Sequence, residues 1–301
     1  MILITGLTGT SGSAFYEVLI RENYEERIRV FLRSTSDTSL FSNSPLDLEL
    51  CTGDLDDIES LHRAMDGCDT VFHIAAKGKI RNIATAVSLS PSVKNLILVS
   101  STIIYSKYYT NSSLHSDEAF VRKILSSKNI RYVFIRPTMI FGTPGDQNIS
   151  VFIRWFEKYS LFPIVKNGSA NISPISRLDI AEAYWKILSN FNQLKCNEYI
   201  ISGKEPMSLL EMFQIITTLQ RKRIRFINIP MPIAKTAVNI VYYLSRRKID
   251  YREKLDRLTE DRAFPHDIFA NELGFDPPSF SVRVAPLIEE IRQQERIHSA
   301  K

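Results

Sequence analysis

The chain has 301 residues, 44% hydrophobic and 24% charged. That is enough to bury a large core, and there is no low-complexity tract of the kind that marks disorder. A formal net charge of +5 is too small to point to nucleic acid, and no RNA-binding aromatic signature or DNA-reading motif accompanies it. Cys51, Cys68 and Cys196 are odd in number and lack metal-ligand spacing, so they read as small hydrophobes in a reducing compartment, with no disulfide framework and no metal site.

The opening MILITG reads as a buried strand running straight into a loop, which leaves no room for a signal or transit peptide; the expected location is cytoplasmic. Residues 2–5 (ILIT) predict a strand and 11–23 a helix. Strands follow at 28–32 (IRVFL) and 48–53 (LELCTG), a helix at 58–65, and strands at 70–75 (TVFHIA), 95–101 (NLILVSS) and 131–137 (RYVFIRP). Apolar runs that alternate with helical patterns predict a parallel sheet covered on both faces, a doubly wound α/β (Rossmann) domain. After Pro137 the glycines and proline of GTPGDQN break regular structure. A helix is expected at 148–159, FPIV next, a helix from about Asp179, the strand EYIIS, and a helical, basic tail from Ser208. The expected division is a doubly wound domain of residues 1–145, with 171–203 also contributing, and a smaller, mainly helical lobe of 146–170 and 204–301.

Residues 226–245 are largely apolar and lie between the basic clusters RKRIR (221–225) and RRK (246–248). Pro230, Pro232 and Lys235 interrupt them, so they do not make a membrane span. Ile233, Ala237, Ile240, Val241 and Leu244 recur at helical spacing. The expectation is a helix packed on the protein's own core, with a helix lying at a membrane surface as the alternative.

GLTGTSG places Gly6, Gly9 and Gly12 directly after the first strand and at the mouth of a helix, with Thr10 and Ser11 between the last two. Glycines there allow a tight turn, close backbone approach to a pyrophosphate and close packing of helix on strand, while the helix N-terminus offers free N–H groups. The three-residue spacing resembles the TGxxGxxG loop of the short-chain dehydrogenase/reductase superfamily, in particular its extended group of nucleotide-sugar epimerases and dehydratases. GDLDD (53–57), FHIAA (72–76), IRPTMIFG (135–142), ISRLDIAEA (175–183) and NELGFDP (271–277) resemble further stretches of that family. The resemblance implies that Gly6, Gly9, Thr10, Ser11 and Gly12 cradle a pyrophosphate and that Asp54 and Leu55 flank an adenine. Ala75, Ala76 and Lys77 would line the ribose and nicotinamide, with Pro137, Thr138 and Met139 near the nicotinamide. Asp54 could instead cap the following helix, and His73 could be a packed core histidine. At the end of the second strand stands Arg33, with no carboxylate before Asp37, which favours NADP, with NAD as the alternative.

In that family a serine or threonine after the fifth strand works with a Tyr-x-x-x-Lys pair, whose lysine lowers the tyrosine pKa. Ser100, Ser101 and Thr102 match the first element, Ser101 best because it lies four residues before Tyr105. The pair itself is absent: four residues after Tyr105, Tyr108 and Tyr109 stand Tyr109, Ser112 and Ser113, and counting back from Glu118 gives Thr110 and Leu114. Either a relocated set acts, with Tyr105 or Tyr108 as acid/base and Lys107 or Lys77 as cation, or the site is lost. By resemblance the first case is an NAD(P)-dependent oxidoreductase or epimerase/dehydratase acting on a nucleotide sugar in polysaccharide assembly. The second is a non-catalytic, regulatory NAD(P)-binding protein. A small-molecule partner is implied, and a homodimer is left open.

Overall fold

The computed structural model describes residues 1–75, 77–108, 113–248 and 250–299, with Lys77, His298 and Ser299 as backbone only. The chain runs β1 (Ile2–Thr5), α1 (Thr10–Arg21), β2 (Ile28–Leu32), β3 (Leu48–Thr52), α2 (Ile58–Ala64), β4 (Thr70–His73), α3 (Ile80–Leu89), β5 (Asn95–Val99), α4 (Leu114–Ser127) and β6 (Arg131–Pro137). There follow β7 (Ile140–Phe141), α5 (Ile149–Lys158), β8 (Leu161–Val165), β9 (Asn171–Ile172), β10 (Ile175–Ser176), α6 (Arg177–Ser189), β11 (Glu198–Ile201), β12 (Met207–Ser208), α7 (Leu209–Leu219) and β13 (Arg225–Ile229). The last helices are α8 (Met231–Leu244), α9 (Arg252–Arg257), α10 (Asp267–Leu273) and α11 (Phe280–Ser299).

Seven strands form one sheet in the order β11-β6-β5-β4-β1-β2-β3, and every pairing in it is parallel. All four residues of β1 are buried, as a central strand covered on both faces requires. Alternate side chains go to opposite sides. Ile2 and Ile4 join a core with α1 and α6, where Phe15, Phe72 and Tyr184 pack with ring centroids 5.2–5.6 Å apart. Leu3 joins a second core under α2, α3 and α4. This is the Rossmann-like arrangement of a doubly wound sheet, and the order reverses between β1 and β4, the crevice where open α/β sheets bind ligands.

A third core, centred on Phe156, Met212, Phe213, Leu287 and Ile291, holds α5, α7 and α11 together. Arg283 of α11 fixes this layer to the sheet by donating to Asp179 of α6 at 2.5 and 3.0 Å. Burial pushes the Asp179 carboxyl above its ordinary value despite that partner. Within this layer β13 pairs in parallel with β8. FINI is therefore a strand where the sequence reading placed the start of a helical segment.

Helix α8 corrects another expectation. Its apolar stripe does not enter the core: Ile233 is 60% exposed, Ile240 52% and Leu244 79%, and the only buried residue of the helix is Ala234. The half-buried Met231, Val238 and Tyr242 lie about a quarter-turn or more away from the stripe, so the helix rests on its less apolar side. No described helix is long and apolar enough to cross a membrane.

Candidate functional site

A cavity of about 1090 Å³ opens at the carboxyl ends of the central strands. Its floor is the glycine loop. Gly6 has φ +85°, a conformation that suits glycine, and a Cβ there would lie 2.6 Å from the Ala75 nitrogen. The loops after β1 and β4 thus touch at the point where the strand order reverses. At Gly12 a Cβ would meet the Gly6 carbonyl oxygen at 2.0 Å; Gly12 seats α1 against the loop, and Gly6, Gly9, Thr10 and Ser11 line the cavity. Helix α1 begins behind Gly9 with no side-chain cap and no acidic residue in its first turn. Its free N–H groups and positive dipole end are the donor set that a pyrophosphate needs. Tyr184, packed beneath, places its hydroxyl 3.4 Å from Ser11 Oγ, and burial pushes that phenol well above its ordinary pKa.

Arg33, Ser36, Asp54, Leu55 and Asp56 line one end of the cavity. Asp57, not Asp54, caps α2, accepting from the N–H groups of Glu59 and Ser60 at 3.0 and 3.2 Å. That leaves Asp54, which accepts from the Asp56 N–H at 2.9 Å, on the cavity wall. Asp37 accepts from the Ser39 N–H at 2.9 Å. Lys79, also on the wall, pairs with Asp56. His73 is fully buried beside Thr5, Nδ1 to Oγ1 2.8 Å, and does not line the cavity.

Ser100, Ser101 and Thr102 also line the cavity, beside Pro137, Thr138 and Met139 at the end of the adjacent strand β6. Ser101 Oγ accepts from the Ile103 N–H at 3.3 Å, and Thr102 donates to the Pro137 carbonyl at 3.2 Å. Beneath them Ser100 donates to Glu118 at 2.6 Å, and Arg136 grips the same carboxylate through two bonds of 2.6 and 2.7 Å.

From Ile104 to Tyr108 the stretch leaves the cavity. Tyr105 is 44% exposed and packs on Phe264, centroids 5.6 Å apart, with the Arg136 guanidinium 5.4 Å from its ring. Burial of its inner edge raises the phenol pKa, the opposite of what an acid/base group requires. Lys107 and Tyr108 are exposed and off the cavity wall. Glu260 accepts from Ser106 Oγ at 2.6 Å and from the Lys107 N–H at 2.7 Å. The stretch is therefore a clasp that holds the segment after α9. Ala76, Tyr109 and Thr110 lie outside the described residues, as does the side chain of Lys77. The backbone of Lys77 opens the short turn 77–79 that follows β4.

That clasped segment brings in two residues the sequence reading passed over. Arg257, at the end of α9, and Arg262, in the segment after it, line the cavity. The Nε of each is buried without a hydrogen-bond partner. Among the described residues no carboxylate lies within ion-pair distance of Arg262. Burial, then repulsion from Arg257, lowers the Arg262 pKa from its ordinary value. Two converging guanidiniums with donors to spare suit an anionic ligand. No periodicity or motif marks them; the sole sequence signal is an arginine pair five apart in an otherwise mixed stretch. Among the described residues no group of His, Cys, Asp and Glu could hold a metal ion.

The NmrA-like family matches residues 1–258. The chain belongs to that family. This agrees with the resemblance of its loops to the extended and atypical short-chain dehydrogenase/reductases. Among solved structures, gox2253 superposes with a TM-score of 0.76 at 21% identity, covering 98% of this chain and 99% of that one. The dTDP-glucose 4,6-dehydratase DesIV of Streptomyces venezuelae, solved with NAD bound, gives 0.70 at 16% identity, covering 97% of each. At such identities the likeness is one of fold. Subunit 9 of the mitochondrial NADH dehydrogenase alpha subcomplex of Arabidopsis thaliana is 25% identical over 101 residues, 34% of this chain. The chain spans about a quarter of that curated relative's length, 25% of it.

Proposed function

We propose that this NmrA-like protein binds a nicotinamide dinucleotide in the switch-point cavity as a regulatory or structural ligand, without a tyrosine–lysine proton relay. The observation that carries the reading is the fate of the 100–109 stretch: Ser100, Ser101 and Thr102 line the cavity, while Tyr105, Lys107 and Tyr108 lie outside it. The uncapped N-terminus of α1 and the loop of Gly6 and Gly9 would hold the pyrophosphate, with Asp54 and Leu55 beside the adenine. Arg33, with Asp37 engaged at Ser39, favours NADP over NAD. The relative named as a subunit of the mitochondrial NADH dehydrogenase alpha subcomplex is in keeping with a binding role.

A second reading is favoured by Arg257 and Arg262. Their guanidiniums suit the diphosphate of a nucleotide sugar, as for an oxidoreductase or epimerase/dehydratase in polysaccharide assembly; one structural neighbour is a dTDP-glucose 4,6-dehydratase. A bound nicotinamide would supply the hydride acceptor there. Ser101, supported by Thr102, would hold the substrate hydroxyl, with Lys77, two residues after the wall residue Ala75, as the cation.

Titration calorimetry with NADP, NADPH, NAD and NADH, on the wild type and on Gly9→Asp and Arg33→Ala, tests the first reading. Binding that Gly9→Asp abolishes is expected, with Arg33→Ala selectively weakening the 2′-phosphorylated pair. No binding of any of the four overturns it. Change in the reduced-nicotinamide absorbance on adding nucleotide sugars, lost in Ser101→Ala, would replace it with the second reading.

A further inference from the structure

The exposed stripe of α8 has the composition of a surface that meets lipid. Ile233, Ala237, Ile240, Val241 and Leu244 follow the spacing i, i+4, i+7, i+8, i+11 and fall within about 100° of one another around the helix. All five are exposed. Tyr243 (64% exposed) and Tyr251 (47% exposed) flank them. Charge is concentrated here as well. Residues 231–254 contain six basic residues, Lys235, Arg246, Arg247, Lys248, Arg252 and Lys254, against two acidic ones, Asp250 and Glu253. That balance of +4 accounts for most of the chain's +5.

Lys235 pairs with Asp256 at 3.0 Å, and Arg252 with Asp250 at 2.6 Å while stacking 3.9 Å from the Tyr242 ring centroid. Arg246, Arg247 and Lys248, at the C-terminal end of the stripe, are exposed and make no ion pair among the described residues. A second copy of the chain would set this positive patch against itself, whereas an anionic surface complements it. With 14 residues, α8 is too short to span a bilayer, yet its apolar face and basic end match a helix lying in the headgroup plane.

We propose that α8 docks the protein on the surface of an anionic phospholipid bilayer, with Ile233, Ile240, Val241 and Leu244 entering the acyl boundary and Arg246, Arg247 and Lys248 against the headgroups. The arrangement leaves the cavity open to soluble ligands, since none of these residues lines it.

Vesicle flotation of the full chain tests this, with phosphatidylcholine alone and with phosphatidylcholine mixed with phosphatidylglycerol. The protein is expected to float with the anionic vesicles only, and added salt should release it. Leu244→Asp should lower the bound fraction about tenfold or more, and Arg247→Glu/Lys248→Glu should abolish it. Because all three positions are exposed, both variants should keep the wild-type thermal unfolding profile; a separate Ile240→Asp variant serves if either does not. Absence from anionic vesicles overturns the proposal. So does equal flotation with both vesicle types, or a concentration-dependent dimer that Leu244→Asp dissolves.

Discussion

Glu118→Gln should cost the fold about 3 kcal/mol. The carboxylate is 4% exposed and its partner Arg136 3% exposed, joined by two bonds of 2.6 and 2.7 Å, with Ser100 adding a third at 2.6 Å. Removing one member of a buried ion pair typically costs about 3–5 kcal/mol, because the other charge is left without its counter-ion. The lower end applies because Glu198 still reaches Arg136 at 3.2 Å, though from a 44% exposed position. Arg136 Nε is already buried without a partner, so the guanidinium has little slack. Urea unfolding of the wild type and Glu118→Gln would read this as a lower midpoint at unchanged slope. Arg136→Met should cost a similar amount, and Glu118→Leu/Arg136→Met less than the two single changes together, since the double variant buries no lone charge. A single-variant loss under about 1 kcal/mol, or strictly additive costs, would refute the claim that the pair acts as a unit.

Gly12→Ala should destabilise the protein by about 3 kcal/mol and abolish dinucleotide binding, because the new methyl would meet backbone at 2.0 Å rather than a movable side chain; calorimetry and thermal melting check both. Tyr105→Phe should leave dinucleotide affinity within about twofold, under about 0.4 kcal/mol, since the phenol is off the cavity wall. A larger loss in the same titration would put that hydroxyl back in the site. His266, whose Nδ1 lies 2.8 Å from Ser202 Oγ, has its pKa lowered from 6.5 by burial, against the opposing pull of Asp267 and Asp276. The unfolded chain therefore binds this proton first, so stability should fall as pH drops through about 6.5 toward the lower folded value and then level off. Denaturation midpoints across that window should be flatter in His266→Gln.

The parallel sheet was legible because its strands are mostly apolar, β-branched-rich runs closed by glycine, proline or polar residues. ILIT, IRVFL and RYVFIRP match β1, β2 and β6 residue for residue. Helices α3 and α4 were not read, and α4 shows why: Asp117 and Glu118 are two of its five buried residues, so its inward face carries charge. Strand β13 was hidden because its partner β8 lies some 60 residues earlier and FINI alone fits either period. The spacing in α8 gave the correct stripe, but periodicity says which residues share a face and nothing about what covers it. In the site, the glycine loop was legible because its geometry is local. Arg257 and Arg262 were not, because only the folded chain brings them across about 250 residues of sequence to that loop.

The closure of the sheet by α6 and β11 bears on how the protein is made. Phe15 and Phe72 on the α1 face are covered by Tyr184 of α6, and β6 has no outer neighbour until β11 arrives. A nascent chain that has released its first 145 residues therefore holds six strands with one apolar face and one edge still open. At about 5–20 residues per second, that state lasts several seconds before α6 and β11 leave the ribosome. During that interval the chain presents the kind of surface that chaperones bind and that aggregates recruit.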